Sequence, residues 1–165
     1  MFTVTKSDVP SDALLQRYAQ RDDCFTDCFY ADIAAPVTLE AYVMAFYRTW
    51  LFRTEKWILD RTIKRPSGIA ELTALASGRG NNFSAWSVEQ SVDGQLLLDD
   101  LGSRTRSWLM VAPQNSGTRL YFGSAVVPVK PGQGLGFAFR ALLGFHNLYS
   151  YALLGACARD LRRQI

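Results

Sequence analysis

Histidine is almost absent from this chain and cysteine is scarce: one His and three Cys among 165 residues. Any nucleophile–histidine mechanism must therefore run through His146. A closed zinc site built from Cys and His would consume Cys24, Cys28, Cys157 and His146 together, so no metal centre is expected. Three thiols also give no even-numbered disulfide framework, and buried free thiols in a reducing, cytoplasmic setting are the expectation. A continuous basic stripe is missing too. Eighteen Lys plus Arg against fifteen Asp plus Glu leave a net charge of +3, and the one locally basic stretch, Arg159 to Arg163, is interrupted by Asp160. Nucleic-acid binding is not expected from such a pattern. Met1 to Asp8 shows no apolar run behind a basic start, so no secretory leader is expected. Residues 141–158 carry no charge and reach the lower length limit of a membrane span. His146, Asn147 and Ser150 interrupt that stretch near its middle, where lipid offers polar groups no partner, so a core helix is expected instead.

What the chain has in quantity is apolar and aromatic surface: 48% hydrophobic and 13% aromatic residues, with 20% charged. That composition and length fit a single folded domain, residues 1–165, with a well-filled core. The aromatic excess fits either plain core or the walls of an internal pocket.

Pro10-Ser11-Asp12 ahead of Ala13-Leu14-Leu15 predicts a short helix capped by Ser11. Cys24 to Ile33 reads as a strand closed by Pro36. From Thr38 to about Arg61 the bulky residues Leu39, Tyr42, Val43, Phe46, Trp50, Trp57 and Ile58 recur at helical spacing, predicting an amphipathic helix with a break near Arg53 and Thr54. A second short helix is predicted over Ile69 to Ala76. Ser77 to Asn82 is the strongest loop signal in the chain. Beyond it the period becomes two, and turns at Asp93-Gly94, Leu101-Gly102 and Pro113 to Gly117 divide the segment into an antiparallel meander of about four strands ending near Val129. Lys130 to Gly134 hands over to a last helix, from about Gly136 to Arg162, whose Arg159, Arg162 and Arg163 suit a helix C-terminus.

Few residues announce chemistry. His146 lies near Tyr149 and Ser150 and is the one candidate catalytic base, with ordinary core packing as the plainer alternative. Arg104 and Arg106 share a strand face with Trp108 and Met110. On a concave face they would fix an anionic head group, and on a convex face they would be solvated. Asp99 and Asp100 are adjacent, point to opposite faces and form no dyad. Glu89 is either a buried acid or an exposed edge carboxylate. Gly78-Arg79-Gly80 lacks the strand-before, helix-after context of a phosphate cradle. Tyr42, Phe46, Trp50, Trp57, Trp86, Trp108, Tyr121 and Tyr149 are candidate cavity walls, with plain core as their alternative.

Asp22 to Phe29 entering the first strand, Ala45 to Trp50 on the aromatic helix, and Gly144-Phe145-His146 before Leu148 to Leu154 carry a resemblance. In them, and in its order of strand, helices, meander and long helix, the chain resembles the START and Bet v1-like (SRPBCC) superfamily, nearest to a bacterial branch often found beside oxidoreductase-like domains. That resemblance implies an α+β helix-grip fold, a curved antiparallel sheet wrapped around a long C-terminal helix. It also implies a cavity between the two for a lipid, sterol, polyketide or similar hydrophobic molecule. The superfamily usually has a small extra hairpin before the meander, where this chain has its bulky helix. The function expected is therefore binding of a hydrophobic or amphipathic small molecule, without cofactor, in a cavity above about 300 Å³. Two rivals stand beside it. One is a cyclase or dehydratase of the same fold using His146. The other is an interaction module that pairs with a second copy, a partner domain or a membrane surface.

Overall fold

The computed structural model describes residues 3–49, 68–128, 130 and 136–164, with side chains from residue 147 onward in the last helix. Strands β1 (Val4–Lys6), β2 (Phe25–Ile33), β3 (Asn82–Phe83), β4 (Trp86–Val92), β5 (Gln95–Asp100), β6 (Thr105–Gln114) and β7 (Gly117–Val126) form one antiparallel sheet in the order β1-β2-β7-β6-β5-β4-β3. Helices α1 (Gln16–Ala19), α2 (Leu39–Arg48), α3 (Ile69–Ala76) and α4 (Gly136–Gln164) complete the α+β fold.

Both faces of the sheet are covered. Leu96 and Leu98 of β5, Leu109 of β6, and Leu120 and Phe122 of β7 pack against α2, α3 and α4 in one cluster. Leu97, Trp108, Met110 and Ala125, one residue out of phase, pack against Ala13, Leu15 and Tyr18 of the N-terminal segment in another. Period-two alternation thus separates two buried faces, which is why Leu96-Leu97-Leu98 is apolar throughout.

The N-terminal segment is clasped by one buried amide. Gln95 Oε1 accepts from Leu14 N at 2.9 Å and Trp108 Nε1 at 3.0 Å, while its Nε2 donates to the Asp12 carbonyl at 3.0 Å. Beside this clasp, Arg106 pairs with Glu89 at 2.5 Å and Asp99 at 2.7 Å, and its Nε donates to Tyr18 Oη at 2.9 Å. The Arg106 face is therefore neither an open groove nor a solvated surface: the guanidinium is roofed by the segment carrying α1. Glu89, half-buried between Arg17, Tyr18 and Arg106, is likewise neither an isolated buried acid nor a free edge carboxylate.

Several boundaries differ from the sequence expectations. Ser11 caps no helix. Residues 11–12 form a turn, and α1 begins at Gln16 after Leu15, without a side-chain cap. The helix opened by Thr38, whose hydroxyl accepts from Ala41 N at 3.2 Å, ends at Arg48 because Thr49 turns to extended backbone (ψ 148°). It is ten residues long, about 15 Å at 1.5 Å per residue. Its expected continuation through Trp50, the break at Arg53 and Thr54, and Trp57 lie outside the described residues. Pro113 is a strand residue opposite Thr118 rather than the start of a turn, and the last hairpin turns on Asn115 and Ser116. Arg104 lies before β6, which starts at Thr105. The last strand ends at Val126 rather than near Val129. β1 was not legible, nor was β3 as a separate strand: it joins Asn82, the last residue of the expected loop, to Phe83, the first of the period-two segment. The helix over Ile69–Ala76, the Asp93-Gly94 turn and the long last helix form as the sequence predicts.

Gly117 shows how closely the chain is packed at the β7 entry. A Cβ there would lie 1.9 Å from the Ile33 carbonyl oxygen.

Candidate functional site

On the helix-facing side of the sheet, strand register builds one polar row. Asp27 of β2 stands opposite Ser124 of β7, and Ser124 opposite Ser107 of β6. Beyond Ser107 the row turns apolar through Leu98 and Val88. The sequence places an acid here because Asp27 shares its parity with Phe25 and Phe29, so a strand that buries those rings must bury the carboxylate too. Asp27 is 3% exposed.

A carboxylate so placed requires donors. Its Oδ1 accepts from the Ser124 backbone N–H at 2.9 Å and the Ser124 hydroxyl at 2.6 Å. Its Oδ2 accepts from the Ser150 hydroxyl, presented by α4, at 3.2 Å. The acceptor-only pattern is what a carboxylate supplies, and it joins β2, β7 and the last helix through one side chain.

A cavity of about 210 Å³ opens beside this cluster, bounded by α2, α4 and strands β4, β6 and β7. Phe46 and Tyr47 of α2, Phe122 of β7 and Leu153 of α4 make its apolar walls, with the Phe46 and Phe122 ring centroids 4.8 Å apart. Thr105, Ser107, Ser124 and Ser150 make a polar flank, and Tyr149 and Trp86 complete the lining. The Trp86 Nε1 atom is buried without a hydrogen-bond partner among the described residues.

Of the residues singled out from the sequence, Phe46, Trp86, Arg106 and Tyr149 border the cavity. The Arg106 guanidinium, however, is held on the opposite face by Glu89 and Asp99. Tyr42 is fully buried behind Phe46, its hydroxyl donating to the Tyr121 carbonyl at 3.0 Å. Trp108 and Tyr121 pack with the N-terminal segment on the other face, and Arg104 is exposed. Trp50 lies outside the described residues, as does the His146 side chain, whose backbone sits in α4 one turn before Ser150.

No protein-family model, curated protein or solved structure matches the chain. Whatever the site does must be read from its own chemistry.

That chemistry is not thiol chemistry. Burial pushes the Cys28 thiol up to about 11 and holds Cys157 well above its ordinary value, leaving both protonated and poorly nucleophilic near neutrality. Among the described residues no group of three or more His, Cys, Asp or Glu is placed to hold a metal ion. Nor is any helix there long and apolar enough to cross a membrane. What the arrangement offers is a small, partly open space with an aromatic wall and a hydroxyl-lined flank backed by a buried carboxylate. Sequence reasoning passed over Asp27, Ser107 and Ser124. The available signal was an acid in phase with Phe25 and Phe29.

Proposed function

We propose that the chain is a helix-grip protein of the START and Bet v1-like kind that binds a compact, partly apolar small molecule between its sheet and its C-terminal helix. The cavity between Phe46, Phe122, Leu153 and the serine flank is the observation that carries this reading. Its two-sided lining is the usual composition of a ligand pocket, apolar walls with a few polar groups that fix orientation. The order of a strand, helices, an antiparallel meander and a long last helix supports the same reading.

The volume narrows the ligand class. About 210 Å³ falls below the 300 Å³ expected from the sequence, which is about the lower bound of ordinary ligand pockets. Sterols, long-chain lipids and polyketides are too large for this space, and a molecule with a single ring or a short chain suits it better. The free thiols support a reducing compartment, and we place the protein in the cytoplasm on that basis.

Solvent extraction of the purified protein followed by mass spectrometry tests the reading. Ser107→Leu, which fills the cavity from the sheet side, serves as the control. A small molecule recovered from the wild type and lost from the folded variant is the expected result. Identical extracts from both, or no molecule from either together with no binding of small aromatic probes, would sink the proposal.

A further inference from the structure

Four serine and threonine side chains line the cavity: Thr105, Ser107, Ser124 and Ser150. The hydroxyls of Ser124 and Ser150 donate to Asp27, at 2.6 and 3.2 Å. Those of Thr105 and Ser107 take part in no hydrogen bond among the described residues. The two stand two positions apart on β6 and so share the cavity face. Burial separates them. Thr105 is half-buried, where solvent serves its hydroxyl, whereas Ser107 is only 5% exposed. On the ladder Ser107 stands between Ser124 of β7 and Leu98 of β5, and the Leu98 side chain has no polar atom to offer it. A hydroxyl withdrawn from bulk solvent calls for a partner, and the space that Ser107 faces is the cavity. Trp86 Nε1 also lacks a partner, but that atom is itself covered, so a molecule in the cavity reaches it only if the ring moves. Ser107 is the better-placed anchor. With β5 and β7 paired on either side of β6, its position is held by the interior of the sheet.

We propose that Ser107 holds the polar end of the ligand, and that the ligand is a compact molecule carrying one hydrogen-bonding oxygen, an alcohol or a ketone. A serine hydroxyl has one proton to donate and lone pairs to accept with. It meets a ketone by donating and an alcohol in either sense. The apolar body of such a ligand packs on Phe46, Phe122 and Leu153. A hydrocarbon of the same shape fills the space but leaves Ser107 unmatched. An oxygen-bearing molecule in a cavity stripped of that hydroxyl is itself unmatched. This inference rests on the cavity being a binding site and names the residue that reads the ligand.

The test uses 1-phenylethanol, acetophenone and ethylbenzene, which share one carbon skeleton and differ only at the oxygen. Each is titrated calorimetrically at neutral pH into the wild type, Ser107→Ala and Ser107→Thr, with circular dichroism confirming that each variant is folded. The readout is the affinity of each oxygen-bearing probe divided by that of ethylbenzene, a ratio that cancels any change in cavity size felt by all three. Ser107→Ala is expected to lower both ratios about fivefold, the factor that one neutral hydrogen bond supplies. Ser107→Thr keeps the hydroxyl and is expected to preserve them. Should Ser107→Ala not fold, Ser107→Cys takes its place, since a thiol of similar size is only a weak hydrogen-bonding group. Ratios that fall equally in Ser107→Thr would assign the effect to packing and overturn the inference. If ethylbenzene binds and the ratios are unmoved in the folded Ala or Cys variant, the inference fails and the cavity reading stands. If none of the three probes binds the wild type, both fall.

Discussion

The Ser150 hydroxyl meets Asp27 Oδ2 at 3.2 Å, joining the last helix to the second strand across 123 positions of sequence. Asp27 also takes the Ser124 N–H and hydroxyl, so one buried carboxylate ties β2 to β7 and α4, the two of these elements that line the cavity. Replacing it by Ala leaves those donors unmatched in a dry environment. Asp27→Ala should cost about 2–4 kcal/mol, the range for stripping a buried, charge-assisted partner. Ser150→Ala, which removes one bond and leaves the carboxylate its other donors, should cost about 1 kcal/mol. Urea unfolding followed by far-ultraviolet circular dichroism reads both. Equal, negligible losses would show that the cluster does not hold the helix on the sheet.

Alkaline pH should weaken the fold, and Cys28 should account for part of the effect. Burial raises its thiol from 9.0 to about 11. The unfolded chain therefore releases this proton at a lower pH than the folded one. Its contribution to stability is complete below about pH 9 and is lost as pH rises toward 11. Burial shifts Tyr18, Tyr42 and Cys157 in the same direction. Cys28→Ala should flatten the loss of stability between pH 9 and 11 by up to about 2 kcal/mol. A slope unchanged in the variant would assign the whole effect to the other groups.

Gln95→Ala removes the partners of Leu14 N, Trp108 Nε1 and the Asp12 carbonyl at once. A destabilisation of about 2–4 kcal/mol follows from the buried groups left unpaired. Hydrogen exchange should localise it, with protection lost first between residues 9 and 20. Uniform loss of protection across the sheet would show that the segment does not open separately.

Gly117→Ala places a methyl group 1.9 Å from the Ile33 carbonyl oxygen, and the obstacle is backbone rather than a flexible side chain. The β2–β7 pairing must shift to admit it, at about 2–3 kcal/mol by the usual cost of overpacking. A midpoint of urea unfolding within experimental error of the wild type would contradict this.

Much of the element order was legible because local signals decide it. Thr38 caps its helix through its own hydroxyl, Asp93-Gly94 turns a hairpin with Gly94 at φ +72°, and the helix over Ile69–Ala76 follows a plain apolar pattern. Layering was not legible. Arg106, Trp108 and Met110 do share a face, but alternation is symmetric between faces, and only tertiary packing puts the N-terminal segment over that one. The end of α2 at Thr49 was missed because the bulky residues continue in phase through Trp50, and periodicity alone does not see a backbone that turns extended. The site was least visible. The aromatic residues that drew notice divide between two faces, while Asp27, Ser107 and Ser124 converge through strand register, which belongs to the pairing and not to any one segment.

The sheet is roofed on one side by helices and on the other, over Leu97, Trp108 and Met110, by the segment around Leu15 and Tyr18. A chain trimmed to start near Arg21 would strip the cover from Leu97, Trp108 and Met110. Those residues would then form a sticky oily patch at the middle of the sheet, drawing such chains into clumps. Shortened versions prepared for crystallisation or binding studies should therefore begin ahead of Val4, which is itself paired to Ala31.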